Sequence, residues 1–240
     1  MTAPLSLSLV IPAFNESPTL PALFERCSRG LLSPGVELIV VDNGSTDATP
    51  ELLESLLPAY PQARSVRVPQ NLGYGHGILA GLQAARGDIL GWTHADLQTP
   101  PEDALRGLRL FGEAPNPEFL FVKGLRQGRP LADAFFTAGM ALFETVMLGS
   151  RLWDINAQPT LFHRSFYRAW NQPPHDFSLD LFAFYVARAR GLTVRRFPVE
   201  FGQRAHGLSR WNIDWRAKMK FIGRTLDYSF KLRRSLSESP

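Results

Sequence analysis

The 240-residue chain has one cysteine, Cys27, so no disulfide framework can hold it together. No stretch reaches the roughly 18 consecutive apolar residues of a membrane span. The nearest run, residues 131–148, is interrupted by Asp133 and Glu144. The opening MTAPLSLSLVIPAFNE lacks the positive region that begins a signal peptide. No G-x-x-x-x-G-K-[ST] loop occurs, which excludes a P-loop, and there is no internal repeat or low-complexity linker. With 45% hydrophobic and 20% charged residues, the chain is not intrinsically disordered. What remains is one large globular domain. The lack of cysteine pairs points to a reducing, cytoplasmic setting, and Cys27, on an apolar-periodic stretch, reads as a small core residue.

The net charge of +4 is unevenly placed. Residues 211–234 carry seven basic side chains against Asp214 and Asp227, which leaves the rest of the chain close to neutral. A body that is not basic argues against nucleic acid as a partner. In the same segment Trp211, Trp215, Met219, Ile222, Leu226 and Phe230 recur at helical spacing. Such a basic amphipathic helix either lies peripherally in a membrane headgroup layer or packs its stripe on the protein's own core. The main domain is read as residues 1–210, and residues 211–240 as this helix and tail.

Along the main domain, strand and helix patterns alternate. Residues 6–11, 36–41, 65–68 and 89–92 read as strands, and 19–29, 47–57, 78–85 and 101–111 as helices. The order predicts an α/β fold with a central, mostly parallel sheet flanked by helices. After about residue 112 the pattern loosens, with a strand near 119–122 and a long helix over 131–148.

In such sheets ligands bind beyond the carboxyl ends of the strands. Four successive strand ends are polar or glycine-rich: Pro12-Ala13-Phe14-Asn15-Glu16, Asp42 to Asp47, Gln70 to Gly77, and Thr93-His94-Ala95-Asp96-Leu97-Gln98. The glycine-rich piece is not a dinucleotide fingerprint, because Ile78 stands where the third glycine belongs. It precedes a helix, whose free N–H groups could hold an anion or could simply follow a turn. Asp96 follows His94 and precedes Gln98 by two positions each. Alternation at a strand end can bring all three side chains to one cation, Mg²⁺ or Mn²⁺, delivered with a nucleoside diphosphate. Alternatively, Asp96 caps the following turn.

Taken as an ordered set, SLVIPAFNES, ELIVVDNGSTDAT and QNLGYGHGILAGLQAARGDILGWTHADLQTPPE resemble glycosyltransferase family 2 on a GT-A fold. Within it they are most similar to the dolichyl- and polyprenyl-phosphate sugar synthases. The resemblance implies a nucleotide-binding half over residues 1–112 and an acceptor half over 113–210. It implies an inverting, metal-assisted transfer from a GDP- or UDP-sugar to a polyprenyl-phosphate or glycan acceptor, at the cytoplasmic side of a membrane in cell-envelope glycan synthesis. Pro12, Ala13, Asn15, Glu16, Asp42, Asn71, Gly73, Gly77 and Asp96 match donor-binding positions. Asp96 and Gln98, with His94, match the metal segment, and Arg126, Arg164, Arg204 and Ser209 match positions near donor or acceptor phosphates. His94 departs from the pattern, which has an aspartate there, and neutral imidazole suits Mn²⁺ better than Mg²⁺.

A lipid-phosphate acceptor is already anionic, whereas a sugar hydroxyl needs a general base. Asp180 is the candidate for that base, with Asp176 second, and Arg126 joins Asp96 and Asp180 as a catalytic candidate. Two other readings stay open. A sugar-phosphate nucleotidyltransferase would carry a glycine-rich, arginine-containing loop after the first strand, where PAFNE stands. A catalytically impaired nucleotide-sugar-binding protein would follow if His94 abolished turnover.

Overall fold

A computed structural model describes residues 4–128, 131–202, 223 and 227–233, with only the backbone for 131–136. The strands are β1 (Leu7–Ala13), β2 (Val36–Asn43), β3 (Ala63–Val68), β4 (Ile89–Trp92), β5 (Leu120–Gln127), β6 (Thr160–His163) and β7 (Thr193–Glu200). The α-helices are α1 (Leu20–Gly30), α2 (Thr49–Leu56), α3 (Tyr74–Ala84), α4 (Asp103–Gly112), α5 (Leu131–Leu148), α6 (Arg164–Arg168) and α7 (Leu179–Ala189).

All seven strands join one sheet in the order β3-β2-β1-β4-β6-β5-β7. Every pairing is parallel except those of β6, which runs against both β4 and β5. The central strands β1 and β2 are buried along nearly their whole length. That is why LSLVI and LIVV read as continuous apolar runs rather than alternating ones. Leu7, Leu9 and Ile11 join one apolar layer with Leu23 and Phe24 of α1. Val10 and Val41 join the opposite layer with Ile78 of α3 and Leu179 of α7. Each fully buried side chain of this size contributes about 1.5–3 kcal/mol.

Helix α1 shows how sequence makes these layers. Leu20, Leu23, Phe24 and Cys27 fall at spacings of three and four, so all four are buried on one face. Pro21 sits in its first turn, where a missing N–H costs nothing. Burial, with Glu102 nearby, pushes the Cys27 thiol up to about 12 despite Arg26, so it remains an inert core group.

Three features differ from the sequence reading. Helix α3 begins at Tyr74, four residues earlier than the pattern suggests. The sheet gains the antiparallel β6, whose four residues are too few to show a period. Of the apolar stripe read in residues 211–234, only Phe230 is among the described residues. Residues 227–233 are helical there, but Phe230 is 52% exposed while Ser229 and Leu232 are buried. The inward face is set by Ser229, whose hydroxyl donates to the buried Glu144 carboxylate at 2.6 Å. No described helix is long and apolar enough to cross a membrane.

Candidate functional site

Strand order reverses direction at β1: β2 lies on one side of it and β4 on the other. In an open α/β sheet the crevice outside such a switch point is where ligands sit. The loops after β1, β2 and β4 all open there. Asp42, at the end of β2, and Asp96, just past β4, therefore lie on the same rim, following strands that are two steps, or about 10 Å, apart in the sheet.

The loops after β1 and β2 are stitched together. Asn15 Oδ1 accepts from the Thr46 N–H at 2.8 Å, and the N–H groups of Asn15 and Glu16 donate to Ser45 Oγ and Thr49 Oγ1, each at 3.0 Å. Asp47 accepts from Ser17 and Thr49. Burial opposes ionisation of Asp47, but those bonds hold its carboxyl below the usual range. Pro12 is half-buried and Ala13 fully buried at the end of β1. Asp42 is 2% exposed; its Oδ1 accepts from the Ser45 N–H at 2.9 Å, and its Oδ2 faces Arg67 Nε at 3.3 Å without a hydrogen bond.

Asp96 is 7% exposed, and its Oδ1 accepts from the Gln98 N–H at 3.2 Å. Between them Leu97 has φ +58, a conformation that disfavours any side chain. Asn15 and Asp154 on the same rim have φ +55 and +48. Strain of about 1–3 kcal/mol at each such residue persists only where the surroundings over-determine it, and it gathers at functional sites. Gln98 donates through Nε2 to the Gly202 carbonyl at 3.2 Å.

His94 is half-buried, and its Nε2 lies 2.9 Å from Tyr74 Oη. Behind Tyr74 runs a buried polar chain. Gln158 Nε2 is 3.5 Å from Tyr74 Oη and donates to Asp180 Oδ1 at 2.9 Å. Lys123 Nζ reaches Asp180 Oδ1 at 3.3 Å and Thr160 Oγ1 at 2.6 Å. Burial pushes the Lys123 ammonium down to about 8, against the pull of Asp180. Asp180 is 2% exposed. It thus stands as a buried counter-ion rather than as a base open to an acceptor, while Asp176 is half-buried in the preceding loop, its Oδ1 accepting from the Ser178 N–H at 2.9 Å.

The glycine-rich segment differs from an anion cradle. The His76 N–H at the start of α3 is taken by the His175 carbonyl at 2.8 Å, and the Gly73 N–H by Asn71 Oδ1 at 2.9 Å. A side chain on Gly75 would come within 2.6–2.8 Å of backbone atoms of Pro174, His175 and Asp176. One on Gly77 would meet the Asn43 side chain at 2.9 Å. These glycines give α3 clearance against the 174–176 loop and β2. Gly75→Ala should therefore cost about 1–3 kcal/mol of stability in urea unfolding. Gly112→Ala, with nothing within 4 Å of the new carbon, should be neutral or stabilising by up to about 1 kcal/mol.

The arginines divide. Arg164 donates to the Gly87 carbonyl at 2.6 and 2.8 Å and to that of Ala85 at 3.0 Å. It lies at the opposite edge of the sheet, because antiparallel β6 delivers the residues after it there. The expectation that it meets phosphate is corrected accordingly. Arg204 and Ser209 lie outside the described residues. Arg126, on β5, clasps Asp154, its Nε donating to Oδ1 at 2.8 Å, with Phe201 under the guanidinium at 5.3 Å. Burial pushes the Asp154 carboxyl up, but the charge and bonds of Arg126, with Arg196 adding, hold it below the usual range. This stabilisation is present above the ordinary carboxylate pKa and is lost as pH falls through the lower folded value. Arg126→Met should cost about 3–5 kcal/mol at pH 7, because it takes from a buried carboxylate its nearest counter-charge and leaves the more distant Arg196. In urea midpoints between pH 7 and pH 3, the variant should lose less on acidification than the parent.

A metal would find a sparse donor set. Among the described residues no three His, Cys, Asp or Glu side chains cluster. One carboxylate, one amide oxygen and one imidazole suit an ion whose remaining ligands arrive with a diphosphate and water, and the nitrogen suits Mn²⁺.

The family model described as "Glycosyl transferase family 2" matches residues 8–144. An undecaprenyl-phosphate 4-deoxy-4-formamido-L-arabinose transferase from Aeromonas hydrophila is 31% identical over 222 residues, covering 86% of this chain and 63% of its own. Its counterpart from Yersinia enterocolitica is 40% identical over 104 residues, 42% of this chain and 32% of its own. The chain thus spans under two thirds of these relatives' length. Glucosyl-3-phosphoglycerate synthase from Mycobacterium tuberculosis, solved with UDP, superposes with a TM-score of 0.72 at 23% identity, over 96% of this chain and 80% of that one. A mannosyltransferase from Pyrobaculum calidifontis, solved with GDP-mannose and Mn²⁺, gives 0.70 at 17% identity, over 100% and 66%.

Proposed function

Because the chain belongs to glycosyl transferase family 2 and has the GT-A fold of its structural neighbours, we propose that it moves a sugar from a nucleoside diphosphate-sugar to a phosphate-bearing acceptor, polyprenyl phosphate by preference. The observation that carries this reading is the placement of nearly buried Asp42 and Asp96 on one rim, on either side of β1.

In this reading Pro12, Asn15, Glu16 and Asp42 frame the nucleoside, and the uncapped Asp42 Oδ2 accepts from the base or ribose. Asp96, with Gln98 Oε1 and His94, would hold a divalent cation, whose chemistry is to neutralise charge on the departing diphosphate. The strained Leu97 turn fixes Asp96 before any ligand arrives, so little reorganisation is needed when charge develops. With Asp180 withdrawn into an ion pair, an acceptor that is itself an anion is favoured over a hydroxyl that must lose a proton. The relatives named for undecaprenyl phosphate support the same choice. A lipid acceptor would bring the basic residues of 211–234 to a membrane surface.

Thermal unfolding with UDP- and GDP-sugars, with and without Mn²⁺ or Mg²⁺, tests this. One nucleotide class should raise the midpoint, and metal should enlarge the rise. Ligand at a hundredfold its Kd adds about 2.7 kcal/mol, or about 5–10 °C for a chain of this size. No rise with any nucleotide would count against the reading. Binding without turnover that His94→Asp fails to restore would favour the impaired binder.

A further inference from the structure

In a prenyl phosphate the hydrocarbon begins one ester oxygen from phosphorus. A site that takes such an acceptor must therefore show apolar surface directly beside the place where its phosphate reacts, whereas a glycan acceptor needs polar partners there. Single exposed apolar side chains are ordinary. The informative ones are those that adjoin the metal segment and are held in place.

Two residues meet that description. Phe177 is 49% exposed and Leu72 is 56% exposed. The Tyr74 hydroxyl lies 2.9 Å from His94 Nε2, and the two rings meet edge to face at 5.5 Å. Phe177 stacks on the same Tyr74 ring at 4.6 Å and 8°. The exposed ring thus stands one ring removed from the metal segment. Leu72 is brought alongside by the backbone. The His175 carbonyl accepts from the His76 N–H at 2.8 Å, and a side chain on Gly73 would collide with the same oxygen. Residues 73–76 and 174–176 therefore run against each other, and Leu72 and Phe177 flank that seam.

Phe177 is ordered before any ligand arrives. Asp176 Oδ1 accepts from the Ser178 N–H at 2.9 Å, and the Asp176 carbonyl accepts from the Leu179 N–H at 3.2 Å. These bonds tie the turn that carries Phe177 to the start of α7, and stacking on Tyr74 sets the ring. An exposed ring held in this way loses little further freedom when a ligand covers it. Asp180, the next acid along the chain, faces inward to Lys123 and leaves this surface to apolar groups.

We propose that Phe177, with Leu72, is an apolar sill that receives the first isoprene units of a prenyl phosphate while its phosphate faces the metal segment. The inference rests on the reading of this rim as a sugar-transfer site, and it makes the two side chains determinants of acceptor specificity.

Calorimetric titration with farnesyl phosphate, kept below the concentration at which it forms micelles, tests the sill against butyl phosphate, the same head group on a shorter chain. The parent protein should bind farnesyl phosphate about ten- to a hundredfold more tightly, with a more negative heat-capacity change. Phe177→Ser should lose most of that preference and Leu72→Ser a smaller share, with circular dichroism confirming that both are folded. Phe119→Ser removes a ring that is 58% exposed just before β5, at the edge of the sheet away from Asp96, and should bind like the parent. Equal affinity for the two phosphates in the parent, or unchanged farnesyl phosphate affinity in Phe177→Ser, would overturn the proposal. If Phe177→Ser does not fold, Leu72→Ser decides in its place. Farnesyl phosphate binding that depends on these side chains, in a protein that binds no nucleotide-sugar, would sink the transfer reading and leave the sill standing.

Discussion

Asp96→Ala should lower kcat for sugar transfer by about a thousandfold while leaving the fold nearly intact. A metal ion and fixed dipoles at a departing diphosphate supply several kcal/mol, and about 4 kcal/mol is a factor of about a thousand. Asp96 is the one nearly buried carboxylate of the segment, so no neighbouring acid can replace it. Its carboxylate accepts a hydrogen bond from the Gln98 N–H, worth about 1 kcal/mol. Asp96→Asn keeps a side-chain acceptor for that bond and removes the charge, so it should fold like the parent and still lose most activity. The metal-dependent part of the nucleotide-induced thermal shift should vanish in both variants. Activity within tenfold of the parent would assign the diphosphate to other groups.

Lys123→Met should be strongly destabilising, at about 3–5 kcal/mol. Lys123 is fully buried, and its partner Asp180 is 2% exposed. Removing the ammonium leaves a carboxylate in an apolar layer beside Leu179 and Phe184. For a chain of this length the loss corresponds to about 6–20 °C in thermal midpoint. Lys123→Met with Asp180→Leu should recover most of it, since an apolar pair of similar volume often matches a buried ion pair. A residual deficit of about 1–3 kcal/mol should remain from the Gln158 amide left without Asp180. A single variant as stable as the parent would mean that water reaches the pair.

The parallel half of the fold was legible because its strands are buried on both faces and its turns are short. The pattern that makes VELIVV a continuous run also makes it a central strand. The rim was legible for the same reason, since the polar loops follow those runs directly. In the second half the strand near 119–122 and the helix over 131–148 were legible too, but β6 was not. Thr160–His163 is too short to reveal its antiparallel direction, and that direction alone decides that Arg164 emerges at the far edge from Asp96. For the glycines of residues 73–77 both an anion site and a plain turn stayed open, because spacing cannot distinguish backbone exposed to a ligand from backbone pressed against its own chain. Asp180 was the candidate base, and only packing against β5 shows the lysine beside it. One signal was present: Lys123 is a cation within the otherwise apolar run LFVKGL, which demands a buried partner.

A crystal soaked with Mn²⁺ and the nucleoside diphosphate that gives the larger thermal shift would test the rim most directly. The expected density places the ion against Asp96 with the diphosphate on it, and the nucleoside beside Asp42. Density for the nucleotide away from the β1–β4 crevice, or an ion that does not touch Asp96, would contradict the assignment.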